Sequence, residues 1–236
     1  MQWSKGCKMR GFLNVLMLFV CAACVAENVA HGGILIRYSG STITAGGSGF
    51  VDVFVSSDAA AATPDVLDSF SAQFLITPIG SAPAAGLQFV DPQSDSQLGQ
   101  ANYVFFGDSL TPPPLGLVSS VTNANDTYVG GDATVSGLGV ALDSTSPERL
   151  LFRLDLSAAQ ATVGSQYALQ LVNSGGTSFL DPSFSALTID SSAFGPFTLT
   201  AAVPEPSGCC VAALVLCGVV LRARRRGAAK QRLPAA

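Results

Sequence analysis

The sequence predicts an all-β protein: a single antiparallel β-sandwich of about 9–11 strands, set between an N-terminal signal peptide and a C-terminal transmembrane helix. Three observations predict it. Apolar and polar residues alternate at period two through residues 27–202, the pattern of strands with one buried face. Clusters of Gly, Pro, Asn and Asp punctuate the alternating runs, as turns require. No 3.6-residue apolar period runs through the segment.

In chain order, Gly33–Tyr38 and Ser41–Thr44 are short strand candidates, followed by a turn at Gly46-Gly47-Ser48-Gly49. Phe50–Ser56 then places Val51, Val53 and Val55 on one face. The Ala-rich segment 57–66 reads as a loop, with a possible short helix around Pro64–Asp68. Phe70–Ile76 puts Phe70, Ala72, Phe74 and Ile76 inward. Gly86–Val90, Tyr103–Phe106 and Thr127–Val129 are further short strands, separated by turn signals at Asp91-Pro92 and Thr111-Pro112-Pro113-Pro114. Arg149–Leu156 directs Leu150, Phe152, Leu154 and Leu156 inward, and Arg149, Arg153 and Asp155 outward. The other place for that one short helix is Ser157–Val163. Gln166–Val172, Ala186–Ile189 and Pro196–Ala201 complete the strands, with turns at Asn173-Ser174-Gly175-Gly176 and Asp181-Pro182.

Charge divides the chain. Residues 27–203 hold three basic residues, Arg37, Arg149 and Arg153, against fifteen acids, a net −12. A surface of that sign repels nucleic acid, so nucleic-acid binding is excluded, and it attracts cations. Cysteine makes the same division. Cys7, Cys21, Cys24, Cys209, Cys210 and Cys217 all lie in the ends, so the domain has neither a disulfide framework nor a thiolate metal site.

Catalysis finds little to work with, and the chain is read as a non-enzyme. His31 is the only histidine, and it sits close to the start of the exported domain, where a chain frays. No Gly-x-Ser-x-Gly elbow is present. Gly46-Gly47-Ser48-Gly49 lacks the lysine of a phosphate loop, and Gly137-Leu138-Gly139 lacks a third glycine. The domain has no tryptophan for stacking sugar rings, which leaves Tyr38, Tyr103, Tyr128 and Tyr167. No cofactor is expected except a candidate calcium site. Asn123, Asn125, Asp126 and Asp132, spaced by Gly130 and Gly131, offer the oxygen donors that calcium takes. Asp91 and Asp95 are a second candidate pair.

The ends say where the protein goes. Lys5, Lys8 and Arg10 precede an apolar run, Phe12–Ala23, and the small residues Cys24-Val25-Ala26, the order of a signal peptide over residues 1–26 cleaved after Ala26. At the other end come Val203, Pro204, Glu205, Pro206 and Ser207, then the uncharged run 208–221, then Arg222, Arg224, Arg225 and Arg226. The prolines block any helix through the motif. The fourteen apolar residues span roughly 21 Å as a helix, short of about 30 Å of hydrocarbon. The arginines mark the cytoplasmic side, which makes residues 227–236 a cytoplasmic tail.

This order of motif, apolar run and basic stop, residues 203–226, resembles the PEP-CTERM sorting signal of bacterial envelope proteins. The resemblance implies recognition by an exosortase, membrane anchoring at least until processing, and an association with extracellular polysaccharide. Within the domain, Ile43–Val55 with Leu67–Ile76, and Leu151–Leu156 with Val163–Tyr167, resemble cohesin-like and carbohydrate-binding-module-like sandwiches. The expected protein is therefore exported and C-terminally sorted, a structural or adhesive component of the envelope or extracellular matrix. The alternative is a carbohydrate- or protein-binding module, and a hydrolase is the weakest reading.

Overall fold

A computed structural model describes residues 32–112, 116–122 and 124–203 of the 236-residue chain. The strands are β1 (Ile34–Ser39), β2 (Thr42–Thr44), β3 (Ser48–Ser57), β4 (Asp65–Leu67), β5 (Ser69–Ile79), β6 (Gln88–Phe89), β7 (Val118–Val121), β8 (Thr127–Ala133), β9 (Val140–Leu142), β10 (Arg149–Ser157), β11 (Gln166–Leu171), β12 (Ser178–Leu180) and β13 (Phe197–Ala202). Two short 3-10 turns, Ser96–Gly99 and Ser191–Phe194, are the helical content of the described residues. Neither is long and apolar enough to cross a membrane.

Two sheets stack face to face. A four-stranded sheet runs β1-β3-β10-β6. A seven-stranded sheet runs β2-β13-β11-β5-β8-β7, with β12 also on β5, and β4 and β9 form a small ribbon beside them. All strand pairs are antiparallel except β2 with β13. The core lies where the alternation predicts it. Val51, Val53 and Val55 are fully buried, and they face Phe70, Ala72, Phe74 and Ile76 of the other sheet.

Phe152 sits at the centre. Its ring meets Phe70, Phe74 and Tyr128 edge-on, with centroids 5.2, 5.3 and 5.8 Å apart. Edge-to-face contact sets the positive ring edge against the negative face of its neighbour. Tyr128 fits because Gly130, two residues on and facing the same side, has no side chain. A Cβ there would come within 2.3 Å of the Tyr128 oxygen.

Several expectations are corrected. Among the described residues thirteen strands form, more than the alternation predicts, because β4, β7, β9 and β12 have only three or four residues each. Pro64–Asp68 is no helix, since Asp65–Leu67 pairs with β9. Ser157–Val163 is no helix either, since β10 runs through Ser157 and the remainder is turn and coil. Tyr103–Phe106 is not a strand, although Tyr103, Val104 and Phe105 are buried. It forms successive turns, closed by Phe106 N–H to Tyr103 O and Asp108 N–H to Phe105 O. Ala186–Ile189 makes only isolated bridges.

The register also places the ends of the domain. Ile34 at the start of β1 pairs with Ser57 at the end of β3. Ala202 at the end of β13 pairs with Thr44, near the beginning of β3. The chain therefore enters the sandwich at one pole and leaves it at the other.

Candidate functional site

Alternation along β3 turns Phe50, Asp52, Phe54 and Ser56 away from the core. The register sets Arg37 of β1 opposite Phe54, and Arg153 of β10 opposite Asp52. Facing residues in a sheet share a side, so these groups form one patch on the outer surface of the four-stranded sheet. The Arg153 guanidinium lies 4.0 Å from the Phe50 ring centroid, and Arg37 lies 4.6 Å from that of Phe54.

Each arginine is also held by a carboxylate. Arg153 donates two hydrogen bonds to Asp52, at 2.7 and 2.8 Å. Arg37 donates through Nε to both oxygens of Glu148, at 2.8 and 2.7 Å. These bonds raise both guanidinium pKa values and hold the Glu148 carboxyl below its ordinary value. The result is a ladder of ring, cation and carboxylate whose rotamers are fixed from two sides. Phe50 remains 49% exposed, so the ladder is open to a partner.

A cleft lies beside β7, the last strand of the seven-stranded sheet. The segment after β6 begins with a cis Asp91-Pro92 bond and continues to Leu98. Together with Gly116, Leu117 and residues Ser119–Val121 it lines a cleft of about 400 Å³. Gln93 ties the segment to β10: its amide donates to the Asp155 carbonyl at 2.9 Å and accepts the Asp155 N–H at 2.7 Å. Asp95 has a left-handed backbone, φ 50°. Its Oδ2 accepts the Leu117 N–H at 2.9 Å, while Oδ1 is buried without a partner. Burial pushes the Asp95 carboxyl up, more than the hydrogen bond from the Leu117 N–H pulls it down. Gly116, at φ +74°, permits this approach, since a Cβ there would stand 2.7 Å from Oδ2.

Of the calcium candidates, Asp126 and Asp132 do not converge. Asp126 lies in the turn before β8, where its Oδ1 accepts from Thr122 and Thr127. Asp132 lies within β8, roughly 20 Å along the extended chain. It is 6% exposed and already engaged: Tyr103, Ser109 and Thr111 donate hydroxyls to it at 2.8, 2.6 and 3.1 Å. Its own neighbour, Ala133, adds an N–H at 2.8 Å. The glycines read as spacers of a metal loop are strand residues of β8. Asn125 carries the positive φ of the turn, 54°, which is reason enough for an asparagine there. Among the described residues no group of three or more His, Cys, Asp or Glu is arranged to hold a metal ion.

The tyrosines are corrected too. Tyr103, Tyr128 and Tyr167 are each 1% exposed, and desolvation pushes the Tyr103 and Tyr128 hydroxyls well up. Tyr38 stacks on Phe197, accepts the Leu171 N–H, and is pushed up to about 12 by burial. None presents an open ring for a sugar. Ala26, His31, Asn123, Pro204, Glu205, Pro206, Ser207, Arg222, Arg224, Arg225 and Arg226 lie outside the described residues, and Val203 is the last described position.

No protein-family model matches the chain, and no curated protein matches it. Among solved structures the chain is similar to the seventh ScaB type I cohesin from Pseudobacteroides cellulosolvens, at 10% identity and a TM-score of 0.47, over 74% of this chain and 96% of that one. It is also similar to the sixth cohesin of scaffoldin B from Acetivibrio cellulolyticus, solved in complex with a Cel5 dockerin mutant, at 11% identity and a TM-score of 0.43, over 72% and 99%. A third is the second type II cohesin module of the ScaA adaptor scaffoldin from Acetivibrio cellulolyticus, at 9% identity and a TM-score of 0.42, over 75% and 99%.

Proposed function

We propose that the chain is an exported envelope protein whose β-sandwich is a binding module for another protein, displayed outward by a C-terminal sorting tail. The observation that carries this reading is the ladder of Phe50, Arg153 and Asp52 beside Phe54, Arg37 and Glu148. Exposed ion pairs stabilise a fold by about 0–1 kcal/mol, and exposed cation–π pairs by about 0.5–1 kcal/mol. Stability is a weak reason to build such an array. As a recognition surface it has clear merit. Its side chains are already ordered, so a partner incurs little further entropy loss in docking on them. Arginine and aromatic residues are the types that dominate binding energy at protein interfaces.

Charge supports the same face. Two of the three cations in a domain of net −12 lie on it, so repulsion of an approaching protein is least there. A protein partner is favoured over a polysaccharide because the tyrosines that would stack sugars are buried or covered. The tail completes the reading. Residues 203–207 follow β13 directly, so a membrane anchor in 208–221 would hold the domain by the β2–β13 pole. The four-stranded sheet would then stand sideways, open to neighbours. Exosortase would be the partner of the tail.

The test is retention on an envelope fraction from an exosortase-bearing host. The full chain should bind it, and Phe50→Ser combined with Arg37→Gln should lower binding about tenfold or more. The melting temperature should stay within about 3 °C, since both sites are on the surface. Equal binding by the double variant, or binding that survives protease digestion of the fraction, would refute a protein partner on this face.

A further inference from the structure

We infer that the cleft between β7 and the Asp91–Leu98 segment is a second binding site, distinct from the arginine ladder, which takes an extended basic peptide of a partner protein as a strand added beside β7. The backbone carries the first part of this argument. β7 is the outermost strand of its sheet. The Thr122 N–H donates to the Thr127 carbonyl at 3.0 Å, which sets the phase of the hairpin. Alternation then gives the paired positions Ser120 with Val129 and Val118 with Gly131. The N–H and C=O groups of Ser119 and Val121 therefore point away from β8, toward the cleft that these residues line. Among the described residues none of these groups has a hydrogen-bond partner. The strand, Val118-Ser119-Ser120-Val121, also lacks the charges and prolines that usually guard an edge.

The side chains of the cleft select the occupant. Its lining contains two acids, Asp91 and Asp95, and no cation. A lysine of an added strand would set a positive charge against both carboxylates. Leu98, Leu117 and Val121 offer apolar surface to its methylene stem. A four-residue strand is about 13 Å long, so the contact is a short one, made of backbone pairing and a single charged anchor.

The probe is an end-capped Val-Lys-Val-Lys-Val peptide, titrated into the full chain in zwitterionic detergent, with amide NMR shifts at Ser119 and Val121 as the readout. Binding is expected with a Kd of about 1 mM or tighter. The same peptide N-methylated on alternate amides, and its Val-Glu counterpart, should each bind about tenfold or more weakly. Asp95→Asn, which keeps an acceptor for the Leu117 N–H, should weaken the lysine peptide by a similar factor. Phe50→Ser should leave this binding unchanged, which separates this site from the ladder. Undiminished binding of the N-methylated peptide would overturn strand addition. Calcium alone producing the same shifts and displacing the peptide would reduce the site to a cation site. No shift at about 10 mM peptide would overturn the inference outright.

Discussion

Phe152→Ala is expected to remove about 4 kcal/mol of folding stability. The residue is fully buried on β10, and three aromatic rings meet its edge or face. Truncation removes the buried ring and leaves a cavity between two sheets whose backbones are hydrogen-bonded and cannot collapse inward. Each lost aromatic pair adds about 0.5–1.5 kcal/mol to the transfer and cavity costs. With a urea slope of about 2 kcal/mol/M, the midpoint should fall by about 2 M with the slope unchanged. A loss below about 1 kcal/mol would mean that Phe152 is not the centre of the core.

The second large effect is at Asp132. Its carboxylate is the common acceptor for three hydroxyls, from Tyr103, Ser109 and Thr111, and it also takes the Ala133 N–H. Asp132→Ala strands these donors in a nearly dry site at about 1–3 kcal/mol for each that finds no water, so the expected loss is about 3–5 kcal/mol. The loss is also local in character. Tyr103, Ser109 and Thr111 belong to the crossover between β6 and β7, which Asp132 ties to the sheet. Hydrogen exchange at the Leu110 and Val135 amides, which bond to Ala133 O and Asp108 O, should accelerate well before the β5 amides do. Asp132→Asn keeps one acceptor oxygen and should cost less. Equal effects of the two substitutions, or a chelator-sensitive wild-type stability, would contradict a purely structural role.

Much of the sandwich is legible in the sequence, for a physical reason. Long strands with one dry face must alternate, so β3, β5 and β10 show themselves as strands, and β3 and β5 declare their inward residues. Short strands carry too few residues to show a period. Val118-Ser119-Ser120-Val121 does not look like a strand until β8 lies beside it. The crossover residues Tyr103, Val104 and Phe105 are apolar because they are buried, and burial alone does not distinguish a turn from a strand. The register shift between Leu150 and Phe152 is likewise invisible locally. It buries Leu151 completely and leaves Arg149 opposite the core residue Val55 rather than in line with Arg153.

The ladder was half legible. Period two places Arg153 and Asp155 outward, but pairing Arg37 with Glu148, 111 residues away, needs a register that one sequence does not contain. Asp126 and Asp132 lie apart for the opposite reason. Asn, Asp and Gly are the residues of turns, and Asp132 shares their composition while serving a buried network within a strand. The acid pair Asp91 and Asp95 did end up in one cleft, lined by neither His nor Cys.

The central claim is an exported binding module presented by a processed tail. The most direct test is the intact mass of the mature protein, made from the full gene in a host that has an exosortase. The account predicts a chain beginning at Glu27, after the signal peptide, and lacking everything beyond about Pro206. A mature chain that still carries Met1–Ala26 would contradict export, and one that keeps Gly208–Ala236 would contradict processing at the sorting signal.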